Sequence, residues 1–310
     1  MGLPAPTLDL EHLPSFLASQ GVRAKPLHWL TPDASTRRFL RVSGPGGETR
    51  VAMLYPEGAE SQVAHHARVF LWARGQSLPV PRLYLWSARL LLVEDLGNLS
   101  LREYLQGNAN GGELVLQALR RLQGASLSSP NPPFSARLFL QELQQFLDQC
   151  PLTPDQRKPA EAFCWHLSQA LEGHPFRLCH RDFHLDNLLF HEGQVKFVDF
   201  QDLRAGPDTY DLVSLLRERG GTRLFPSTFA QEAARQLRLE KGWEDRFWQC
   251  AAQRGLKALG TFLRLHNLGR PHYLSLVPEV AANTKAALER LNAPPSLVGL
   301  VASLACAYNA

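Results

Sequence analysis

Alternation and helical spacing divide the chain into two differently patterned parts. Up to residue 94, apolar and polar residues mostly alternate in short runs, which predicts strands at about 25–31, 37–43, 49–55, 81–86 and 89–94. Gly44-Pro45-Gly46-Gly47 and Ser87-Ala88 supply turns between them. A helical run from Ser61 to Arg74, with Val63, Val69, Phe70 and Trp72 as its apolar members, falls between the third and fourth strands, and Leu8 to Ala18 predicts a short helix before the first. After Glu94-Asp95-Leu96-Gly97 the spacing turns helical, with segments at roughly 113–126, 137–149, 208–219, 227–238, 243–266 and 279–292. Ser100 with Glu103 reads as a capping box, and Thr153-Pro154-Asp155-Gln156 as a helix start with proline in its first position. The expected fold is α+β: a small five-stranded lobe with one main helix over residues 1–96, and a larger, mainly helical lobe over 97–310.

Within the helical part, one stretch departs from the helical pattern. His180-Arg181-Asp182-Phe183-His184-Leu185-Asp186-Asn187 reads H-R-D-x-x-x-x-N, and Asp199-Phe200 follows twelve residues after the Asn. Leu188 to His191, the turn Glu192-Gly193 and Gln194 to Asp199 predict a hairpin that returns Asn187 to the side of Asp199. The same side chains serve phosphoryl transfer: an Asp that accepts the proton of the attacking hydroxyl, and an Asn and a second Asp that hold magnesium. Such transfer needs little covalent help from a protein beyond positioning and charge. The expected catalytic residue is Asp182, the expected metal ligands are Asn187 and Asp199, and the expected cofactors are ATP and Mg2+. Gln201 and Asp202, just past Asp199, are candidates for gripping the acceptor.

Composition narrows the partners. The chain of 310 residues is 45% hydrophobic, enough for two cores, and its net charge of +4 is too mild and dispersed to argue for nucleic acid. Met1 to Leu10 has no basic n-region, and the most apolar stretch, Ser296 to Ala307, is too short to span a bilayer. Five widely spaced cysteines suit a reducing compartment and read as small core residues. A cytoplasmic monomer with a small-molecule substrate and no membrane partner is expected.

These motifs resemble the kinase-like small-molecule phosphotransferases, the superfamily of aminoglycoside and choline kinases, over nearly the whole chain. Within it the chain is similar to the bacterial anomeric kinases of N-acetylmuramate and N-acetylglucosamine used in cell-wall recycling. The residues carrying that closer likeness are Asp33-Ala34-Ser35-Thr36-Arg37-Arg38-Phe39, His180 to Asn187, Asp199-Phe200-Gln201-Asp202, Gly206-Pro207-Asp208-Thr209-Tyr210-Asp211-Leu212, and Gln253-Arg254-Gly255-Leu256-Lys257 continuing to Gly260 and Arg264. The resemblance implies a protein-kinase-like bilobal fold and transfer from ATP to the anomeric hydroxyl of an N-acetylated amino sugar. It also implies that Asp211 accepts backbone amides of the catalytic loop, that the Glu94 carbonyl and Leu96 amide meet adenine, and that Ser35, Thr36, Arg37 and Arg38 bind the nucleotide phosphates.

The chain departs from protein kinases in two ways. Asp211 stands twelve residues after Asp199, too few for a peptide platform. There is no Gly-rich loop, and Val51-Ala52-Met53-Leu54 aligns with V-A-I-K but lacks the lysine, so Arg37, Arg38 or Arg41 is expected to replace it. The alternatives are an aminoglycoside or other small-alcohol phosphotransferase, and an ATP-binding pseudokinase. From Gly206 to Ala310 there are 13 basic and 9 acidic residues, a balance that disfavours a polycationic acceptor. Zinc hydrolysis at His180 and His184 lacks the Glu of an H-E-x-x-H helix.

Overall fold

A computed structural model of the chain describes residues 13–30, 37–44, 46–108 and 111–308. It divides into two compact units, Met1–Leu99 with Leu189–Gln201, and Ser100–Leu188 with Asp202–Ala310. In the first, helix α1 (Leu13–Ser19) precedes strands β1 (Lys25–Leu30), β2 (Arg38–Ser43) and β3 (Thr49–Leu54). Helix α2 (Glu60–Gly75), β4 (Leu83–Ser87) and β5 (Leu90–Glu94) follow. The strands form one antiparallel sheet in the order β1-β2-β3-β5-β4.

The period of two decides what each sheet face carries. Leu40 pairs with Ala52, and Ala52 with Leu92, so these side chains fall on one face together with Val42, Leu54 and Leu90. Leu13, Leu17 and Val22 complete that core. Phe39–Met53–Leu91 and Arg41–Val51–Val93 are the cross-strand rows of the opposite face. Helix α2 buries Val63, Ala67, Phe70 and Ala73, a stripe at helical spacing. The hairpin foreseen after Asn187 forms from β7 (Leu188–His191) and β8 (Gln194–Phe197), numbered after β6 below, and its residues 189–201 group with this unit rather than with the helical one. Backbone bonds from Phe197 N–H to Pro79 O (2.7 Å) and from Phe190 N–H to Leu99 O (2.9 Å) tie it there. The Phe70 and Phe200 rings meet at 4.5 Å.

The second unit contains α3 (Leu101–Gly107), α4 (Gly111–Gln123), α5 (Ala136–Asp148), α6 (Pro154–Glu172) and β6 (Phe176–Cys179). Past the hairpin come β9 (Arg204–Pro207), α7 (Tyr210–Arg217), α8 (Gly221–Leu224), α9 (Phe229–Leu237), α10 (Trp243–Asn267), α11 (Val277–Arg290) and α12 (Pro295–Ala307). Both capping boxes read from the sequence are present, Ser100 with Glu103 and Thr153 with Gln156. Strands β6 and β9 and helices α8 and α12 are not foreseen from the sequence pattern. The β6–β9 pair joins strands of four residues across the hairpin, too short to show alternation. Helix α12 is apolar all round, so it lacks the polar stripe that marks a helix. No helix among the described residues is long and apolar enough to cross a membrane.

Helix α10 is the axis of this unit and packs against α5, α6, α7 and α11. Two glycines permit the close approach. A Cβ at Gly260 would lie 2.8 Å from the backbone N and Cα of Phe146 on α5, and one at Gly255 would lie 2.0 Å from Thr284 Oγ1 on α11. Alanine is favoured over glycine in a helix by about 1 kcal/mol, but overpacking against immovable backbone costs roughly 1–3 kcal/mol. Gly260→Ala should therefore lower the melting temperature by a few degrees. Gly299→Ala on α12, with nothing within 4 Å of the added methyl, should leave it unchanged or raise it. Equal behaviour of the two variants in thermal melts would show that the α5–α10 crossing is not constrained at Gly260.

Candidate active site

Strand β6 delivers the chain into His180 and Arg181, where the backbone turns sharply. Arg181 has φ 80°, a left-handed conformation that costs a non-glycine residue roughly 1–3 kcal/mol. Four contacts over-determine it. Asp211 on α7 accepts the His180 N–H at 2.6 Å and the Arg181 N–H at 3.0 Å. The Arg181 carbonyl accepts from Arg254 Nη1, and the Arg181 guanidinium donates to Glu142 Oε1 at 2.5 Å. Phe183 and Leu185, both buried, pin the following loop to the core. The 3-10 turn Leu185–Asn187 closes with an Asn187 N–H to His184 O bond of 3.0 Å.

Asn187 points its amide nitrogen inward. Nδ2 donates to the Asp182 carbonyl at 3.0 Å and lies 3.2 Å from His184 Nε2. Among the described residues Oδ1 accepts nothing, which leaves an amide oxygen of the kind that suits a hard cation. Burial pushes His184 down to about 4, so the ring is neutral at physiological pH and can accept this bond. His184 thus holds the loop. Asp186 is paired with Arg102 at 2.7 Å and Arg219 at 3.4 Å.

The Asp182 side chain is 40% exposed. Burial raises its carboxyl, but the positive charges of Lys257 and Arg254, with smaller help from Arg181, outweigh that and hold it far below the usual carboxylate range. Both leading cations come from α10. Arg254 is buried in a fork on Glu218, with Nε to Oε1 at 2.6 Å and Nη2 to Oε2 at 2.9 Å. It also donates to Ser214 Oγ at 3.1 Å and lies 3.8 Å from Asp182 Oδ1. Gln253 and Lys257, four apart and so on one helical side, both reach Glu142 on α5, at 2.8 and 3.5 Å. Asp202 stands 3.7 Å from Arg181 and 4.0 Å from Arg204. Arg264, two turns beyond Lys257, is exposed.

The first unit carries Asp199. It has φ 56°, and its Oδ1 accepts from Arg37 Nη2 and from Gln201 Nε2, each at 2.9 Å. Oδ2 accepts nothing among the described residues, and the carboxylate is 44% exposed, so an oxygen remains for a cation. The three candidate arginines separate. Arg38 stacks on Trp29 at 3.8 Å, and its strand partner is Leu54 of the α1-side core. Arg41 is taken by Asp95, at 2.6 Å, and by Asn98. Arg37 alone reaches Asp199. Leu54, aligned with the kinase lysine, is buried on the α1 face, while Met53 occupies the face of Phe39 and Arg41; neither carries a charge. Ser35 and Thr36 lie outside the described residues. Glu94 ends β5 with its N–H on Arg82 O and its carboxylate on Arg82 N–H, and Leu96 is buried just beyond.

Sequence reasoning missed Glu142, which read as an ordinary helix residue, and the buried pair Tyr55 and His66, joined at 2.7 Å. No local pattern marks either, since each partner comes from a different element.

Residues 30–252 match the phosphotransferase enzyme family, APH. The chain is 28% identical over 324 residues to the N-acetylmuramate/N-acetylglucosamine kinase of Pseudomonas aeruginosa, covering 94% of this chain and 93% of that protein. A protein of the same name from Neisseria meningitidis is 30% identical over 205 residues, 62% of this chain and 61% of its own. Among solved structures, ADP-bound aminoglycoside phosphotransferase APH(2'')-Ib superposes with a TM-score of 0.64 at 14% identity, covering 91% of this chain and 99% of that one. A choline/ethanolamine kinase family protein from Mesorhizobium loti gives 0.61 at 15% identity, covering 96% and 98%. These two share the kinase-like α+β fold. With the family matched over most of its length, the chain belongs to the phosphotransferase enzyme family and is a phosphotransferase.

Proposed function

We propose that the chain is a sugar kinase that transfers the γ-phosphoryl group of ATP to the anomeric hydroxyl of an N-acetylated amino sugar, N-acetylglucosamine or N-acetylmuramate, in cell-wall recycling. The observation that carries the reading is the likeness over 94% of the chain to a kinase of that name, together with a catalytic loop whose Asp182 is solvent-accessible and anionic. The sheet unit is assigned the nucleotide and the helical unit the acceptor. Asn187 Oδ1 and Asp199 Oδ2 are assigned to magnesium, which screens the phosphate oxygens when Mg-ATP is bound. Arg37 is assigned to the phosphates, with Ser35, Thr36 and Arg38 of the same turn. The Glu94 carbonyl and Leu96 amide are assigned to adenine, and Gln201 and Asp202 to sugar hydroxyls. Five unpaired cysteines, four of them buried, suit a reducing cytoplasm.

The electrostatics of Asp182 favour this acceptor. A carboxylate held so far below its usual range is a weak base, and it takes the hydroxyl proton late, once transfer to the oxygen is advanced. A hemiacetal hydroxyl is more acidic than an ordinary sugar alcohol and asks less of such a base. Lys257, Arg254 and Arg181 around Asp182 repel a polycation, which weighs against an aminoglycoside despite the shared fold. Lys257 is also the cation of this cluster suited to a lactyl carboxylate.

Asp182→Asn should bind ADP normally and lose roughly two orders of magnitude or more in turnover, the scale of positioned acid–base catalysis. Near-normal turnover would remove Asp182 from the role of base. Asp199→Ala should keep the wild-type circular dichroism, melt lower because the buried Arg37 loses this carboxylate, and lose magnesium-dependent transfer. An unchanged magnesium titration curve would mean that the metal sits elsewhere. N-acetylglucosamine should gain one phosphoryl group by mass, whereas its methyl glycoside, blocked at the anomeric oxygen, should gain none. Equal phosphorylation of both would place transfer at another hydroxyl.

A further inference from the structure

The first unit has a buried polar line where the sheet and α2 meet. His66 on α2 is 6% exposed, and Tyr55, directly after β3, is 2% exposed. The Tyr55 hydroxyl and His66 Nδ1 are 2.7 Å apart. The charge of Arg37 also acts on the Tyr55 hydroxyl, opposing the effect of burial, and Arg37 Nη2 donates to Asp199 Oδ1 at 2.9 Å. Donor chemistry orders the protons along this line. A guanidinium carries only donor hydrogens, so the phenol proton turns away from that cation and is donated in a hydrogen bond to His66 Nδ1. His66 is then neutral, with its proton on Nε2. Burial pushes the Tyr55 hydroxyl up to about 12, so it keeps that proton.

A line of this kind is costly to build into a core. Each buried polar group must find a partner, and an apolar filling would be simpler. Its result is one fixed guanidinium. Arg37 would otherwise retain the rotamer freedom of a long side chain. In the kinase arrangement a lysine of the third strand meets the phosphates and is steadied by a carboxylate from the following helix. Here Leu54 and Met53 occupy that strand end, and the only acid of α2, Glu60, is exposed at its first position. His66 is the buried polar residue that α2 supplies instead.

We propose that Arg37 takes the place of the strand lysine as the polyphosphate ligand, and that His66 and Tyr55 are positioning residues, a neutral strut from α2 that aims it. The inference rests on the reading of the chain as an ATP-dependent kinase. In this arrangement the strut acts on nucleotides only through their phosphates, and it acts only while Arg37 is present.

Calorimetric binding of ADP and adenosine, with magnesium and no sugar, tests it on the full chain. Arg37→Ala should weaken ADP by about ten- to a hundredfold, the loss of charge-assisted bonds, and leave adenosine unchanged. Tyr55→Phe should weaken ADP by several-fold, again without touching adenosine, and raise KM for ATP more than it lowers kcat. In the Arg37→Ala background, Tyr55→Phe should add no further loss. Equal losses for ADP and adenosine in Arg37→Ala, or the same ADP loss from Tyr55→Phe with and without Arg37, overturns the proposal. Melting curves identify a variant that does not fold, and Arg37→Ala, which removes a buried side chain just before β2, still decides the ligand role if Tyr55→Phe is lost. A wild-type chain that binds neither nucleotide sinks the kinase reading itself, a result distinct from failure of the strut.

Discussion

The Asp211 carboxylate sits fully inside the helical unit and holds two consecutive backbone amides, those of His180 and Arg181. Burial alone works against it and pushes its pKa up to about 7, against the pull of those amides and of Arg254. The arrangement persists because every neighbour depends on it. The amides would otherwise be buried donors without acceptors, and Arg181 could not keep its left-handed backbone. Asp182 follows immediately, so the direction of its side chain is a consequence of the Asp211 contact. Arg254 adds a second hold on the same turn by capping the Arg181 carbonyl and pairing with Glu218. Removing one member of such a set leaves a buried charge unpaired, which costs far more than the set contributes as a whole.

The same rule, that a buried charge must be paired, governs the sheet unit with different means. Strand alternation sends Arg38 to the α1 side, where Trp29 covers it, and leaves Arg37 to Asp199. Arg41, three residues after Arg38, is held by Asp95 just past the end of β5. One short strand and the residue before it therefore send three arginines to three destinations, and only Arg37 serves the Asp199 carboxylate.

Charge also shapes the chemistry available to Asp182. Cations that suppress its protonation make it a dependable acceptor for a hydrogen bond from a hydroxyl, at the expense of basicity. On the proposed function, that suits an enzyme whose work is alignment of an already acidic hydroxyl. Lys257 and Arg254 exert this effect although Glu142 and Glu218 also hold them.

Sequence alone determined much of this protein. Period-two runs placed all five strands of the sheet, helical spacing and capping boxes placed most of the helices, and H-R-D-x-x-x-x-N with the later Asp-Phe marked the candidate site loop and its hairpin. These are local signals, because a cap, a turn or a stripe is complete within a few residues of chain. The tertiary structure decided the rest. Glu142 meets Arg181 across 39 residues, Asp211 meets His180 across 31, and Arg37 meets Asp199 across 162. It also decided which arginine reaches Asp199, that α12 is a helix, and that β6 pairs with β9. Such contacts form between faces of separate elements, and a face is set by packing. The residues that make them look, in one dimension, like any other member of a helix or strand.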